Sequence, residues 1–194
     1  MIMRMKFLSV LAGFAAIALL AAGCSQVNVA EVLQQPKGSG IYTQCNLWYN
    51  TDNVIYCTNY QDGKIIPFGT EVQIVKATDS DITFKTLPDQ QEYKIKFDPE
   101  WLMIPVETFI RQVFTIQTRE QLTKDVSPDF IKSIERGIVA KGMNRKEVLL
   151  TCGTPAACRT PSLENDTWIY WTDRFSTIRV VFKDGKVAET LSLK

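Results

Sequence analysis

The chain has 194 residues, with 22 Lys and Arg against 21 Asp and Glu, and 45% of it is hydrophobic. A net charge of +1 supplies no basic field for nucleic acid or for charge-driven binding to acidic lipid. The chain contains no histidine; this removes the commonest general base, the Ser-His and Cys-His nucleophile pairs and most catalytic zinc sites, so no enzyme activity, metal or cofactor is expected.

At the front, Arg4 and Lys6 precede an apolar run from Phe7 to Ala22, interrupted by Gly13. That order is the order of a secretory signal, and the run is shorter than the roughly 20 apolar residues of a membrane span. Leu20-Ala21-Ala22-Gly23-Cys24 resembles the lipobox of bacterial lipoproteins. The resemblance implies removal of residues 1–23, diacylglycerol on the Cys24 sulfur and acylation, palmitate among the possible chains, of the new N-terminus. Two or more chains make such anchoring stable. Ser25 follows Cys24, which by resemblance to enterobacterial sorting implies a periplasm-facing, lipid-anchored place on the outer membrane. Residues 24–40 mix Gln, Pro, Lys, Gly and Ser without a sustained period and are expected to form a tether.

Residues 41–97 read as short strands. Val72 and Ile74, then Ile82 and Phe84, then Tyr93, Ile95 and Phe97 alternate with polar neighbours, the period of a half-buried strand. Turn chemistry separates them at Asp62-Gly63, Pro67-Phe68-Gly69, Asp79-Ser80-Asp81 and Pro88-Asp89. Carboxylates such as Asp79 and Asp81 are therefore read as solvated turn residues. The expectation is a small all-β barrel domain.

Residues 98–126 hold a helix and a linker. Val106, Phe109, Ile110, Val113 and Phe114 make one amphipathic stripe, and Pro105 is tolerated at its start. Residues 115–126 are mostly polar and carry the expected domain boundary.

In residues 127–194, Ser127, Pro128 and Asp129 have the order of a helix start, with Phe130, Ile131, Ile134 and Ile138 on one face and Gly142 at the end. Asn144 with Glu147 is a capping-box variant opening a second helix that turns Val148, Leu149 and Cys152 inward, and Gly153 and Pro155 close it. Strands follow over 167–172, 177–182 and 186–191, the last two joined by Asp184-Gly185, the type I′ hairpin pair. The fold class is thus α+β: a small N-terminal all-β barrel, a helix, and a C-terminal ααβββ domain with a helix hairpin on a three-stranded antiparallel sheet.

Four cysteines remain after Cys24, at 45, 57, 152 and 158. An even number in an exported chain indicates disulfides, with three possible connectivities. Pairing by neighbourhood, Cys45 with Cys57 and Cys152 with Cys158, keeps each bridge within one domain, and neither pair has the short spacing of a structural zinc site.

Two stretches carry family resemblances. Residues 46–75, in particular Ile66-Pro67-Phe68-Gly69-Thr70, look like a bacterial Src-homology-3-like barrel. Gly137, Gly142-Met143, Glu147-Val148, Gly153-Thr154-Pro155, Trp168-Ile169-Tyr170 and Val180-Val181-Phe182 leading into Asp184-Gly185-Lys186-Val187 are similar to the BamE/SmpA/OmlA family of outer-membrane lipoproteins. The family resemblance implies an accessory subunit of the barrel-assembly machinery, although the additional N-terminal barrel and the Cys152/Cys158 pair are not in the family's pattern. The same fold also serves in secreted inhibitors of β-lactamase.

The expected function is that of a lipid-anchored accessory or scaffold protein making protein-protein contacts at the outer membrane, in outer-membrane protein assembly or envelope integrity. A ligand- or peptidoglycan-binding module and an inhibitor of a hydrolase are the alternatives. If the sheet face opposite the helices is open, Trp168, Tyr170 and Trp171 with Arg159 and Arg174 make an aromatic and basic partner surface; if the N-terminal domain covers it, they are core.

Overall fold

The computed structural model describes residues 25–193; the apolar leader and Cys24, with their signal and lipobox expectations, lie outside the described residues. The chain is α+β. The elements run α1 (Val29–Val32), β1 (Ile41–Thr43), β2 (Leu47–Tyr49), β3 (Val54–Tyr56), β4 (Lys64–Ile66), β5 (Glu71–Ala77), β6 (Asp81–Thr86) and β7 (Glu92–Lys96). They continue with α2 (Pro99–Leu102), α3 (Val106–Val113), β8 (Phe114–Thr115), α4 (Arg119–Thr123), α5 (Pro128–Glu135), α6 (Arg145–Cys152), β9 (Thr167–Trp171), β10 (Thr177–Lys183) and β11 (Lys186–Leu193).

A curled six-stranded sheet in the order β3-β7-β6-β5-β1-β8 forms a half-barrel. Its strands alternate as their sequence requires: Ile82 and Phe84 of β6 stand opposite Ile95 and Tyr93 of β7 and point into the core. The β3–β7 pair is parallel and all the others are antiparallel. The stripe of α3 lies in this core, with Phe109, Ile110 and Val113 buried. The strand periods at Val72 and Ile74, Ile82 and Phe84, and Tyr93 and Ile95 match the structure, whereas Phe114, expected on the helix stripe, turns extended and begins β8.

The remaining two N-terminal strands do not join the half-barrel. β2 and β4 form a separate antiparallel ribbon, Leu47 opposite Ile66, and this ribbon leans on the C-terminal lobe. The Trp48 ring and the Ile65 side chain press on Gly137, so closely that a Cβ there would lie 2.5 Å from Trp48 Cζ2.

That contact also explains where α5 stops. The sequence predicts a helix face continuing to Ile138; the observed helix ends at Glu135, Gly137 turns the chain at φ +69, and Ile138 is 45% exposed. Only a residue without a Cβ fits both the left-handed conformation and the indole against it. The rest of the C-terminal lobe follows expectation. α5 and α6 pack on one face of the antiparallel β11-β10-β9 sheet, Asn144 and Glu147 form the capping box, and Asp184 and Gly185 both have positive φ in the β10–β11 turn.

The segment expected as a tether is built into the fold. Gln26 bridges Thr78, the Val27 N–H donates to Ala77 O at 2.9 Å, and Val29, the first residue of α1, is buried. Burial of Val29 and the paired backbone outweigh the polar composition on which the tether reading rested.

Candidate functional site

The two lobes meet at a junction of buried polar groups. Asn46, wholly buried, sits between β1 and β2. Its Nδ2 donates to Ile134 O at 2.6 Å and Thr151 O at 3.2 Å, and its Oδ1 accepts from the Phe68 N–H at 3.0 Å. Its own N–H donates to Leu150 O. Asn59 extends the lattice: its Nδ2 donates to both Asn46 O and Cys152 O, and its Oδ1 accepts from the Trp48 N–H. These amides replace bonds that two separate domains would have made to water, and buried polar groups are held to such partners.

Phe68 crosses the junction. It belongs by sequence to the turn before β5, yet its ring is fully buried in the C-terminal core among Leu122, Ile134, Met143 and Val148. Arg119 closes over it, with its guanidinium carbon 4.3 Å from the ring centroid and Nη1 donating to Phe68 O at 3.1 Å. Arg119 also pairs with Glu135. The Pro67-Phe68-Gly69 turn is thus a plug between lobes as well as a strand entry.

Beside the amides lies an apolar cavity of about 190 Å³. Ile55 and Ile95 of the half-barrel, with Leu47 of the β2–β4 ribbon and Phe109 of α3, form one wall, and residues from the 153–161 loop form the other. Trp101 and Ile104 close one side, and no charged side chain lines it.

The four cysteines gather near this junction and carry free thiols. Cys45 and Cys152 are buried, 3% and 1% exposed, whereas Cys57 and Cys158 are half-buried. Neither expected neighbour pair is bonded in the structure. Burial pushes the Cys45 thiol up to about 12 and raises the Cys152 thiol further. The Tyr170 phenol, which donates to Gly153 O at 3.0 Å, is also raised by burial and by both thiols beside it.

The aromatic strand is core, which settles the two readings of β9 in favour of burial. Trp168 and Tyr170 face the helix pair at 0% and 4% exposure and are corrected from partner-binding to core residues. Arg145 covers the edge of Trp168, stacking on Phe182 at 4.6 Å and donating to Asn165 O at 2.8 Å. On the other face Trp171, also buried, is covered by the N-terminal lobe: Trp101 meets it edge-on at 5.2 Å, and the Gln61 N–H donates to Trp171 O. Arg159 lies 5.2 Å over the same ring. Of the five expected contact residues, Arg159 and Arg174 alone are exposed.

Next to Arg174 is a residue the sequence reading passed over. Phe175, at the tip of the β9–β10 hairpin, is 85% exposed, more than any other large apolar side chain among the described residues. The tip is shaped by Asp173, whose Oδ1 accepts from the Phe175 N–H at 2.7 Å and the Ser176 N–H at 2.9 Å. Those bonds hold the Asp173 carboxyl below its ordinary range. The signal was present in "TDRFST", residues 172–177, where an aromatic residue stands at the centre of a polar turn. No family model matches the chain, nor does any curated protein or solved structure.

Proposed function

We propose that the protein is a lipid-anchored accessory of the bacterial outer membrane, acting through protein-protein contacts and not through catalysis. The hairpin tip carries this reading: an aromatic side chain is held out in water beside Arg174 by a turn that Asp173 braces. Phe and Arg are the residue types that interface centres favour, and an exposed Phe stabilises nothing within its own fold. The signal-like leader and the lipobox-like Leu20–Cys24 stretch support the address, as does the similarity of the C-terminal lobe to the BamE/SmpA/OmlA family. The resemblance of residues 46–75 to a Src-homology-3-like barrel belongs to the same reading.

In this account Cys24 is acylated and the body sits directly on the bilayer, because the sheet holds the chain from Gln26 onwards. Intact mass of the detergent-extracted protein, with density-gradient separation of the two membranes, tests it. A mature chain beginning at acylated Cys24 in the outer-membrane fraction is expected, with Cys24→Ser released. An unmodified chain in the soluble fraction overturns the proposal.

The junction cavity favours a second reading, a binding module for an uncharged apolar ligand. Its lining is mostly aliphatic and aromatic, with Asn59, Gln112, Thr154 and Thr160 as polar members and no charged side chain among the described residues, which suits a hydrocarbon chain with a polar end and offers little to a charged peptidoglycan fragment.

A further inference from the structure

Cys45 lies in the β1–β2 connection and Cys152 ends α6, so their thiols come from opposite lobes. The end of α6 touches Cys45: a Cβ built on Gly153 would lie 3.0 Å from Cys45 Sγ and 3.9 Å from Cys45 Cβ. The backbones on both sides are fixed in register, Asn46 N–H to Leu150 O at 3.0 Å and the Asn59 amide to Asn46 O and Cys152 O at 3.0 and 3.1 Å. Both sulfurs lie near enough to Tyr170 to raise its phenol. Cys57 has a different neighbourhood, its Sγ taking the Asp98 N–H at 3.5 Å, and Cys158 sits half-buried in the Gly153–Pro161 loop.

We propose that the oxidised protein carries a Cys45–Cys152 disulfide that joins the two lobes covalently. A disulfide needs Cα atoms about 4.4–6.8 Å apart, and the contact of Gly153, the residue after Cys152, with the Cys45 thiol brings the two cysteine backbones together at the junction. The bond forms by exchange with a disulfide-bearing oxidant. One cysteine thiolate attacks the oxidant's S–S bond and expels the first leaving thiolate; the second cysteine thiolate attacks the mixed disulfide and expels the other. Two protons leave the cysteines, and the oxidant is reduced to two thiols. An exported protein meets such oxidants, and in the cell the proposal rests on that reading; in vitro it does not.

Timing follows from burial. The thiolate is the attacking species, and the native fold suppresses it at both sulfurs. The bridge therefore closes while the lobes dock, and the finished junction shields it from reductant.

The test is disulfide mapping of the full chain in two preparations, one extracted from cells and one reduced, unfolded and refolded with oxidised and reduced glutathione. Trypsin leaves Cys45 and Cys57 on the peptide 38–64, and Cys152 and Cys158 on the peptide 147–159, so a link between the two peptides already separates this pairing from the neighbour pairing. Chymotrypsin then cuts after Tyr49 and Tyr56, isolating Cys45. A fragment ending at Tyr49 still joined to the Cys152 peptide is expected, with the same link in the Cys57→Ser, Cys158→Ser double variant and its loss in Cys45→Ser. Separate peptides, alkylated or internally bridged, or a link carried by Cys57 or Cys158 alone, overturn the proposal. A refolded chain that is linked while the cellular chain is reduced contradicts the exported reading and leaves the pairing standing.

Discussion

A single amide at Asn46 serves both lobes, and that is why its loss is expected to cost more than an ordinary hydrogen-bonding residue. Asn46→Ala strands the Phe68 N–H and Thr151 O and takes one donor from Ile134 O, which keeps the Gly137 N–H; orphaning a buried group costs about 1–3 kcal/mol. We expect a loss of about 3 kcal/mol in the unfolding free energy measured by urea titration, after allowance for partial rehydration. Asn46→Asp should do no better at neutral pH, because a carboxylate would then face two carbonyl oxygens. The thiols make a second prediction. Cys45 stays protonated to about 12 in the folded state but ionises near 9 when unfolded, so unfolding releases a proton between those values and stability falls as pH rises through them, by about 1.4 kcal/mol per pH unit per buried thiol. Fully reduced protein should show this alkaline decline in unfolding free energy above pH 9, and the Cys45→Ser variant a shallower one. None of this is visible in sequence: Asn46 is a lone polar residue between Cys45 and Leu47 with no local motif around it, and the cysteine spacing favours neighbours because spacing carries no information about docking.

Among the elements, the helix pair and the last hairpin were the most legible parts of the chain. Asn144, Glu147, Gly153, Pro155 and Asp184-Gly185 act locally, and local chemistry is what a sequence displays. What remained hidden is that Glu147 serves two helices. One carboxylate oxygen accepts from the Asn144 N–H at 2.7 Å and the other from the Ser127 N–H at 2.9 Å, tying the start of α5 to the start of α6. The Ser127 side chain makes no cap of its own. Glu147→Ala should therefore cost about 2–4 kcal/mol, two half-buried N–H groups losing their charged acceptor, with Glu147→Gln recovering part of it; thermal unfolding of the three proteins measures this. Conversely, α5 was read too long because the sequence does not announce the Trp48 indole against Gly137. The β9–β10 tip behaves oppositely to Glu147: Phe175→Ala removes an exposed ring and should change stability by less than about 0.5 kcal/mol while weakening partner capture.

At the scale of the whole molecule, two regions that look separable in sequence form one interlocked body. Composition shifts at 115–126 as at a linker, yet Phe68 is spent in the far core, β8 returns to pair with β1, and Trp101 seals Trp171. Each lobe alone would expose a hole or a ring. We expect one cooperative unfolding transition for the whole chain, read by calorimetry, and no stable fold for residues 127–194 alone; two resolved transitions would contradict the interlock. A Cys45–Cys152 bond closes a loop on the order of 100 residues and by the chain-entropy estimate adds about 4–5 kcal/mol, so oxidised protein should melt well above reduced protein. With the body rigid and its first fixed residue at Gln26, anchoring at Cys24 would leave little freedom between bilayer and protein, and the exposed tip would have a defined reach. The measurement that tests this account most directly is photo-crosslinking in cells from a benzophenone amino acid at position 175, in the wild-type chain and in Cys24→Ser. The account predicts discrete crosslinks to outer-membrane proteins that disappear when Cys24 is replaced. An absence of protein crosslinks, or the same set from the Cys24→Ser chain, would contradict it.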